Sequence, residues 1–382
     1  MTSRTKRVSP RTARRSLLAI PAIAVPTAIV AAAVLIPNAA SGAVDLPDLT
    51  PQELLEFAAA SEVDQLSGTI EQAADLGLPD LGALTTGFGA DTTAADDNAA
   101  DIDDLLSLAT GSFTAKVYLD GDSARLQVLD SLAERNVYLD GESDTAWFVD
   151  SESQSATKIT FSAGEEPGAD DARELPTPQA TLEEALANLD ESTAVTVGSD
   201  ASVAGRDAYE LILEPRSDDT LVESISFAID GETGMALSAS ISAADSSDPA
   251  FSIAFTDVSF DAPDASTLTF EPSSNITVSE KEIAPPSHTD HEAVSDDATA
   301  PQMSVVGEGW STVVELSAAE GSSQTLDGLT AEQQTMLESF TTAVDGGRVF
   351  ETALLTVLMT DDGRTLIGAV PANVLVDAAS GD

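Results

Sequence analysis

The region from Val203 to Pro272 constrains the fold most, because apolar residues fall on every second position of several short segments there. The alternating residues are Ile225, Phe227 and Ile229, then Leu237, Ala239 and Ile241, then Phe251, Ile253 and Phe255. A period of two places one face of a strand against a core and the other face in water. The region therefore predicts an antiparallel meander whose strands each have one buried and one wet face.

Turn and end residues punctuate this meander in a recognisable order. It opens with Gly-Arg-x-x-Tyr-x-Leu-x-Leu at 205–213, passes through an Asp-x-x-x-Gly hairpin at 230–234 and closes with Phe-x-Pro at 270–272. In this order the chain resembles the LolA/RseB-like proteins, the superfamily of LolA-like outer-membrane lipoprotein carriers and LppX-LprG proteins. More narrowly, it resembles the extracytoplasmic members of actinobacterial type.

The resemblance implies an α+β fold and a binding function. The expected fold is a strongly curved antiparallel sheet, a half-open β-barrel, plugged by short helices and followed by a small α+β C-terminal unit. The concave apolar face of such a sheet holds acyl chains or lipid-modified peptides. The resemblance therefore points to a binding protein rather than an enzyme.

The charge of the chain limits its partners. The 382 residues have a formal net charge of -50, from 66 Asp plus Glu against 16 Lys plus Arg, and six of the basic residues precede the first acid, Asp45. An anionic body of this kind repels phosphate backbones, so nucleic acid is excluded as a partner. No D-x-[DN]-x-[DN]-G-x5-E calcium loop is present, and no motif indicates a cofactor or a metal.

The N-terminal segment has the pattern of an export signal. No charged residue lies between Arg15 and Asp45, and the apolar run ends in small residues, which predicts a signal peptide over 1–43. The alternative is a retained anchor, since Leu17 to Ile36 is long enough to cross a bilayer. We therefore expect an extracytoplasmic protein, secreted or anchored to the cytoplasmic membrane. The absence of Cys excludes a lipobox and disulfides.

Residues 44–282 are predicted to form the half-barrel domain. Thr50-Pro51-Gln52-Glu53 is a capping box that opens one helix, and Thr181-Leu182-Glu183-Glu184 is predicted to open a second. Alternating strands flank turns at Asp120-Gly121-Asp122 and Asp140-Gly141-Glu142, so each pair predicts a hairpin. The Asp-Gly pairs at 120, 140 and 230 are therefore interpreted as turns and not as metal loops.

A polar, Pro-containing linker over 283–302 is predicted to lead to a small α+β domain over 303–380. In that domain the pattern predicts one strand from Val305 to Val314 and a helix from Thr330 to Phe340. It also predicts a hairpin of Gly347 to Met359 with Thr365 to Val370, and a final helix from Ala372 to Ala379.

Residues suited to catalysis are scarce. Both His residues, His288 and His291, lie in the predicted linker, and the chain has no Cys. Ser155-Ala156-Thr157-Lys158 fits the S-x-x-K motif of penicillin-recognising enzymes, but it leads into a strand and its partner motifs are missing. The sequence therefore predicts a protein that is not an enzyme.

Two function classes follow. The first is a carrier-like binding protein for a lipid or an acylated protein. Its twelve candidate ligand-binding residues are Val117, Leu119, Leu126, Val128, Phe148, Leu211, Leu213, Phe227, Ile229, Phe251, Ile253 and Phe255. The alternative for any single one of these residues is plain core packing. The second class, as in RseB, is a sensor or regulatory protein that binds a membrane-protein ectodomain.

Overall fold

The computed structural model describes residues 46–77, 111–129, 133–140, 143, 145–161, 175–283, 302–317 and 339–381. These residues lie within one compact unit, Val34–Asp382. The predicted leader over 1–43 and the two His residues of the linker lie outside the described residues. Within the described ranges, no helix is long and apolar enough to cross a membrane.

A large sheet of thirteen strands dominates the molecule. Its strands are β1 (Gln65–Ala74), β2 (Phe113–Asp120), β3 (Ser123–Leu129), β4 (Glu134–Asp140), β5 (Thr145–Asp150), β6 (Ser155–Phe161), β7 (Thr193–Val197), β8 (Ala201–Val203), β9 (Arg206–Pro215), β10 (Val222–Asp230), β11 (Ala236–Ala243), β12 (Pro249–Ser259) and β13 (Thr277–Ile283). Their order is β13-β6-β5-β4-β3-β2-β1-β12-β11-β10-β9-β7, and β8 pairs with β9.

The predicted antiparallel character of this sheet is confirmed. Every described strand pair is antiparallel except β13 with β6, which is parallel. The sheet is not closed into a barrel, because it ends at β13 on one side and at β7 on the other. Its curvature into a half-barrel stays a prediction.

The predicted hairpins of the first half are present. β2 and β3 pair directly across Gly121, whose φ of 56° is in the left-handed region that glycine adopts without strain. β4 and β5 pair as expected, although residues 141 and 142 of their turn lie outside the described residues. Ser155 to Lys158 form the start of strand β6 and not of a helix, so the S-x-x-K geometry is absent.

The meander is confirmed as strands β9 to β12, but the expected wet face is wrong at its centre. Ser238, Ser240 and Ser252 lie on the face opposite Phe227 and Ile253, yet all three are buried. Ser226 and Ser240 satisfy each other with a hydrogen bond of 2.9 Å across the β10–β11 pair. Ser238 Oγ is buried without a hydrogen-bond partner among the described residues. Serine is small enough to be buried with or without such a bond, so its polarity does not reveal whether a strand face is exposed.

Four α-helices lie wholly within the described residues: α1 (Pro51–Ala59), α2 (Pro178–Ala187), α3 (Ala265–Leu268) and α4 (Ala372–Ser380). The capping box of α1 is confirmed, since Thr50 Oγ1 accepts from the Glu53 N–H and Glu53 accepts from the Thr50 N–H at 2.9 Å. These bonds satisfy N-terminal N–H groups that would otherwise lack partners.

The predicted start of the second helix is wrong by one turn. Helix α2 begins at Pro178, and Thr177 is its N-cap, accepting from the Ala180 N–H at 3.2 Å. Thr181 lies inside the helix, where its hydroxyl donates to the Thr177 carbonyl at 3.1 Å. Proline is favoured at the first helical position, so Thr177-Pro178 is the true start signal, as Thr50-Pro51 is for α1.

A second sheet of six antiparallel strands follows the large one. Its strands are β14 (Gln302–Val306), β15 (Val313–Ser317), β16 (Thr342–Val344), β17 (Gly347–Glu351), β18 (Thr356–Thr360) and β19 (Arg364–Gly368), in the order β14-β15-β19-β18-β17-β16. Helix α4 covers one face and shares a separate hydrophobic cluster with it: Val313, Val349, Leu358, Leu366, Val370 and Leu375. The final helix and the hairpin across Asp361 to Gly363 are confirmed.

Two predicted strands of this sheet are each two strands. The segment 305–314 is interrupted at Gly307, which has a φ of 90°, and by a 3-10 helix at Gly309–Ser311. The segment 347–359 turns at Thr352, whose hydroxyl accepts from the Leu355 N–H at 2.9 Å. Because apolar residues continue through this turn, the sequence pattern did not predict it. The predicted helix from Thr330 to Phe340 lies mostly outside the described residues.

Polar contacts connect the two sheets. The Ala369 carbonyl accepts from Thr220 Oγ1 at 2.9 Å and from the Leu221 N–H at 2.8 Å. At a second point, Trp310 Nε1 donates to Thr193 Oγ1 at 2.9 Å. The predicted domain boundaries stay a prediction.

Candidate apolar binding face

The structure places all twelve candidate residues on one face of the large sheet, here called the apolar face. In the first half, Val117 pairs with Leu126, and Val137 links Leu126 to Phe148. Directly paired residues project to the same face, as do residues two apart on a strand. Leu119 and Val128 therefore join this group.

The second half of the face is continuous with the first through β1. Ile70 pairs with Ala115 on β2 and with Phe255 on β12. From β12 the pairing runs from Ile253 through Ala239 to Phe227 and then to Leu211. Leu213, Ile229 and Phe251 share this face by their spacing of two, so the set spans strands β2, β3, β5, β9, β10 and β12.

Most of the candidate residues are packed into a core. Ten of the twelve are buried, and Leu119 and Phe251 are half-buried against the main hydrophobic cluster. That cluster also contains Leu54 and Ala58 of α1 and Leu182 of α2. Two short helices thus contribute to covering the apolar face, and direct contact of its residues with a ligand stays a prediction.

Identifiable contacts hold the two helices. On α2, the Gln179 side chain accepts from the Ala236 N–H at 2.9 Å. On α1, the Phe57 ring meets the Tyr209 ring edge-on with centroids 6.4 Å apart. A Cβ on Gly234 would lie 2.6 Å from the Phe57 carbonyl oxygen, so only glycine permits this approach of α1 to the β10–β11 turn.

An ion pair closes the turn beneath α1. Arg206 Nε donates to Asp230 Oδ2, Arg206 Nη2 donates to Asp230 Oδ1 at 3.1 Å, and the Asp230 side chain is 1% exposed. Burial alone would raise the pKa of Asp230, but hydrogen bonds from Arg206 and Thr233 outweigh it and hold the pKa below its ordinary value. Asp230 is therefore a stable carboxylate that organises the hairpin.

The Gly-Arg-x-x-Tyr-x-Leu-x-Leu motif at 205–213 thus positions the β10–β11 turn and the segment before α1. Arg206 stacks over the Phe260 ring at 4.8 Å and also binds Glu232 at 2.7 Å. The Tyr209 hydroxyl donates to the Pro47 carbonyl at 3.1 Å, which ties the segment before α1 to β9. The sequence analysis did not assign these roles, although an Arg and an Asp in the same two-strand motif could have suggested a pair.

The opposite face of the first half carries a cluster that the sequence analysis missed. One row of paired positions combines aromatic and cationic side chains: Tyr118, Arg125, Tyr138, Trp147 and Lys158. The guanidinium of Arg125 lies 4.8 Å from the Tyr138 ring centroid, and Phe270 stacks on Tyr138 at 5.4 Å. Arg125 also donates to Asn136 and to the Thr267 carbonyl. Its donors are engaged within the protein, so this row fastens the segment around α3 to the sheet.

Among the residues that the structure describes, no group of three or more His, Asp or Glu side chains is placed to hold a metal ion. A cavity of about 250 Å³ lies between the small sheet and α4, beside Thr360, Asp362 and Arg364. Arg364 is already paired with Asp362 at 2.9 Å and with Glu315 at 3.5 Å. The charged groups that line the cavity therefore stabilise the β18–β19 turn.

No family model and no curated protein matches the chain. Several solved structures are similar to it. A crystal structure of MucB in complex with MucA(peri) has 16% identity and a TM-score of 0.40, covering 85% of this chain and 95% of that one. The Pseudomonas aeruginosa MucA/MucB complex has 17% identity and a TM-score of 0.39, covering 85% and 94%.

A LolA superfamily protein from Nitrosomonas europaea is also similar, at 12% identity and a TM-score of 0.22, covering 58% of this chain and 99% of that one. The similar structures therefore include MucB and a LolA superfamily protein. The actinobacterial type stays a prediction.

Proposed function

We propose that this chain is an extracytoplasmic, non-catalytic binding protein for a hydrophobic ligand, a lipid or a lipoprotein acyl chain, with a carrier-like role. One observation carries the proposal: twelve apolar side chains from six strands share one face, and short helices contribute to its cover. A continuous apolar face of this extent suits an acyl chain, because each buried CH2 contributes ~0.8 kcal/mol.

Ligand entry requires part of the cover to move, since most of the apolar face is already packed. Helix α2 is the candidate that we propose for that movement. Its Gln179 side chain accepts from the Ala236 N–H, Leu182 is buried in the main cluster, and Ala185 and Leu186 pack against that cluster. A ligand that occupies the site of Leu182 would keep the apolar face covered, and its own buried CH2 groups would offset the burial that Leu182 loses.

A titration with a fluorescent fatty acid tests this proposal on the purified protein. The half-buried candidates Leu119 and Phe251 are the positions of choice, because polar substitution there disturbs the core least. We expect one saturable site in the wild type and about tenfold weaker binding in Leu119→Asn and Phe251→Asn.

The matched control is Leu129→Asn. Leu129 is exposed and follows Val128 on β3, so it projects to the opposite face. The control should bind like the wild type. Absence of saturable binding in the wild type, or equal loss in all three folded variants, would refute the proposed site.

The proposed location rests on the predicted leader. In the proposal, residues 1–43 are removed on export and the mature chain begins near Val44, with a retained anchor as the alternative. N-terminal sequencing of the exported protein separates the two. A start near Val44 supports cleavage, and a start at Met1 or Thr2 in membrane-bound material supports anchoring.

A second candidate function is that of a sensor or regulatory protein that binds a membrane-protein ectodomain. The exposure of strand β14 favours it. Met303 is 70% exposed and Val305 is 61% exposed, which is unusual for apolar side chains in a strand. A pull-down from solubilised membranes tests it, and recovery of no membrane protein in stoichiometric amount would argue against it.

A further inference from the structure

Strand β14 is an apolar edge strand. It pairs with β15 through Met303 to Leu316 and Val305 to Val314, and it is the terminal strand of the six. Its other edge has no strand partner among the described residues. Val306 is 46% exposed on the face opposite Met303 and Val305, so both faces of β14 are open.

The apolar surface continues from β14 across the small sheet. On the face away from α4, paired positions carry two polar side chains, Thr365 and Arg348, among half-buried apolar ones: Val314, Leu316, Phe350, Val357, Met359 and Ile367. Helix α4 packs on the opposite face, around Leu358, Leu366 and Leu375. The open edge and the adjoining face thus form one surface, here called the β14 surface.

Within the described residues, the short strand β14 has neither the side chains nor the bulges that usually protect an edge. Soluble proteins block exposed edges with Lys, Pro, bulges or covering segments, because a free row of N–H and C=O groups pairs readily with another chain. β14 contains no Lys, Arg or Pro, and its register with β15 is regular from Gln302 to Val306. Such an edge is suited to receiving an added strand.

The charges near β14 indicate what kind of segment its edge binds. Glu308 follows β14 and is exposed, and Asp190 lies beside Gly309, where a Cβ would be 3.0 Å from the carboxylate. A hydrogen bond from Ser192 lowers the pKa of Asp190, so that group is ionised at neutral pH. A second copy of this chain would bring the same net charge of -50 and would be repelled. A partner segment with Lys or Arg beside its apolar residues would be attracted.

We propose that the β14 surface binds an extended segment of another protein, which adds to the small sheet as a strand beside β14. The segment alternates apolar and polar residues, so that the apolar ones meet Met303 and Val305, and it carries Lys or Arg at the end that lies near Glu308. This inference deepens the second candidate function and rests on it. It is independent of lipid binding, since the β14 surface shares no residue with the apolar face.

A peptide titration of the full chain tests the inference. The probe is a fluorescent peptide that alternates Val and Thr and ends in Lys residues. The control peptide has the same sequence except for Pro at its centre. Val305→Glu is the informative variant, because it adds a negative charge while removing an apolar contact. Thr342→Glu adds the same charge on β16, the opposite edge strand.

We expect the alternating peptide to bind in a saturable manner and the Pro peptide not to bind, since proline cannot complete a ladder. Val305→Glu should weaken binding about tenfold, and Thr342→Glu should leave it unchanged. Equal or tighter binding to Val305→Glu would show general attraction of a basic peptide to an acidic protein and would overturn the inference.

Two further readouts separate the remaining outcomes. Sedimentation of the free protein that reveals a dimer abolished by Val305→Glu would assign the surface to a second copy, against the inference. Fatty-acid binding should be the same in wild type and Val305→Glu. If the wild type binds the peptide but not the fatty acid, the result counts against the lipid function alone. If it binds the fatty acid but not the peptide, the result counts against the β14 surface alone.

Discussion

Arg206 at the start of β9 and Asp230 at the end of β10 form a bidentate ion pair whose carboxylate is almost fully buried. The same carboxylate accepts from the Thr233 N–H and hydroxyl, both at 2.8 Å. This arrangement fixes the β10–β11 turn, and Gly234 of that turn contacts α1. The pair therefore connects the sheet to one of the helices on its apolar face.

Substitution Asp230→Asn is expected to lower the free energy of unfolding by about 3 kcal/mol at neutral pH, because it removes the buried carboxylate of the pair and leaves Arg206 with only the exposed Glu232 as an ionic partner. The pKa of Asp230 is held below its ordinary value, so the pair stabilises the fold above the unfolded-state pKa. As the pH falls through the folded-state pKa, below about pH 4, the wild type loses this contribution and the difference between the two proteins should shrink.

Asp362→Asn is the matched control. Asp362 pairs with Arg364 but is largely exposed, so its loss should cost at most about 1 kcal/mol. Urea unfolding at neutral and acidic pH measures both variants. A difference between wild type and Asp230→Asn that is constant with pH would contradict the role assigned to the carboxylate.

Gly234→Ala should destabilise the protein by about 3 kcal/mol or more. The residue has a φ of 77°, and the added Cβ would clash with the Phe57 carbonyl. Gly121→Ala is the control. Gly121 also has a positive φ, 56°, but no atom lies within 4 Å of a Cβ added there, so only backbone strain of ~1 kcal/mol is expected. Thermal unfolding compares the two, and equal midpoints would show that α1 does not depend on this contact.

Thr177→Ala should loosen helix α2 and expose the apolar face. Loss of an N-cap costs ~1 kcal/mol, so binding of an environment-sensitive apolar dye should become up to about fivefold tighter. Thr181→Ala removes a hydroxyl from inside the helix and should leave dye binding unchanged. Tighter binding in Thr181→Ala alone would contradict both the position of the cap and the role of α2 as cover.

The acidic surface should make stability depend on salt. With a net charge of -50, self-repulsion is strongest at low ionic strength, so sodium chloride up to about 1 M should raise the unfolding midpoint by about 5 °C. The effect should disappear near pH 4, where the carboxylates titrate. A midpoint that is unchanged or falls with added salt at neutral pH would reject this expectation.

Local signals in the sequence predicted much of the fold. The capping box at Thr50 and the hairpin at Gly121 depend on neighbouring residues alone, and both are present. Alternation also grouped the candidate residues of each strand on one side of that strand. The pairing that joins these groups into one face is known only from the structure. The predicted start of α2 was wrong because Thr181-Leu182-Glu183-Glu184 also fits a capping box, whereas the helix starts at Thr177-Pro178.

Other features depend on contacts between distant segments. Alternation states which side chains share a face, but it does not state whether a further element covers that face. Ser238 is polar but buried, because its strand face is covered, and Met303 is apolar but exposed, because its strand face is not. Nor does a strand pattern reveal an edge, so the openness of β14 emerged only from the strand order. The pairing of Arg206 with Asp230 likewise joins two strands across 24 positions.

Native mass spectrometry of the protein purified from its own host, followed by extraction and identification of any bound lipid, tests the central claim most directly. We predict a population that carries one equivalent of a lipid or acyl-chain compound, reduced in the Phe251→Asn variant and retained in Leu129→Asn. Protein that is folded, carries nothing apolar and takes up no fatty acid on titration would contradict the claim that the large sheet binds a hydrophobic ligand.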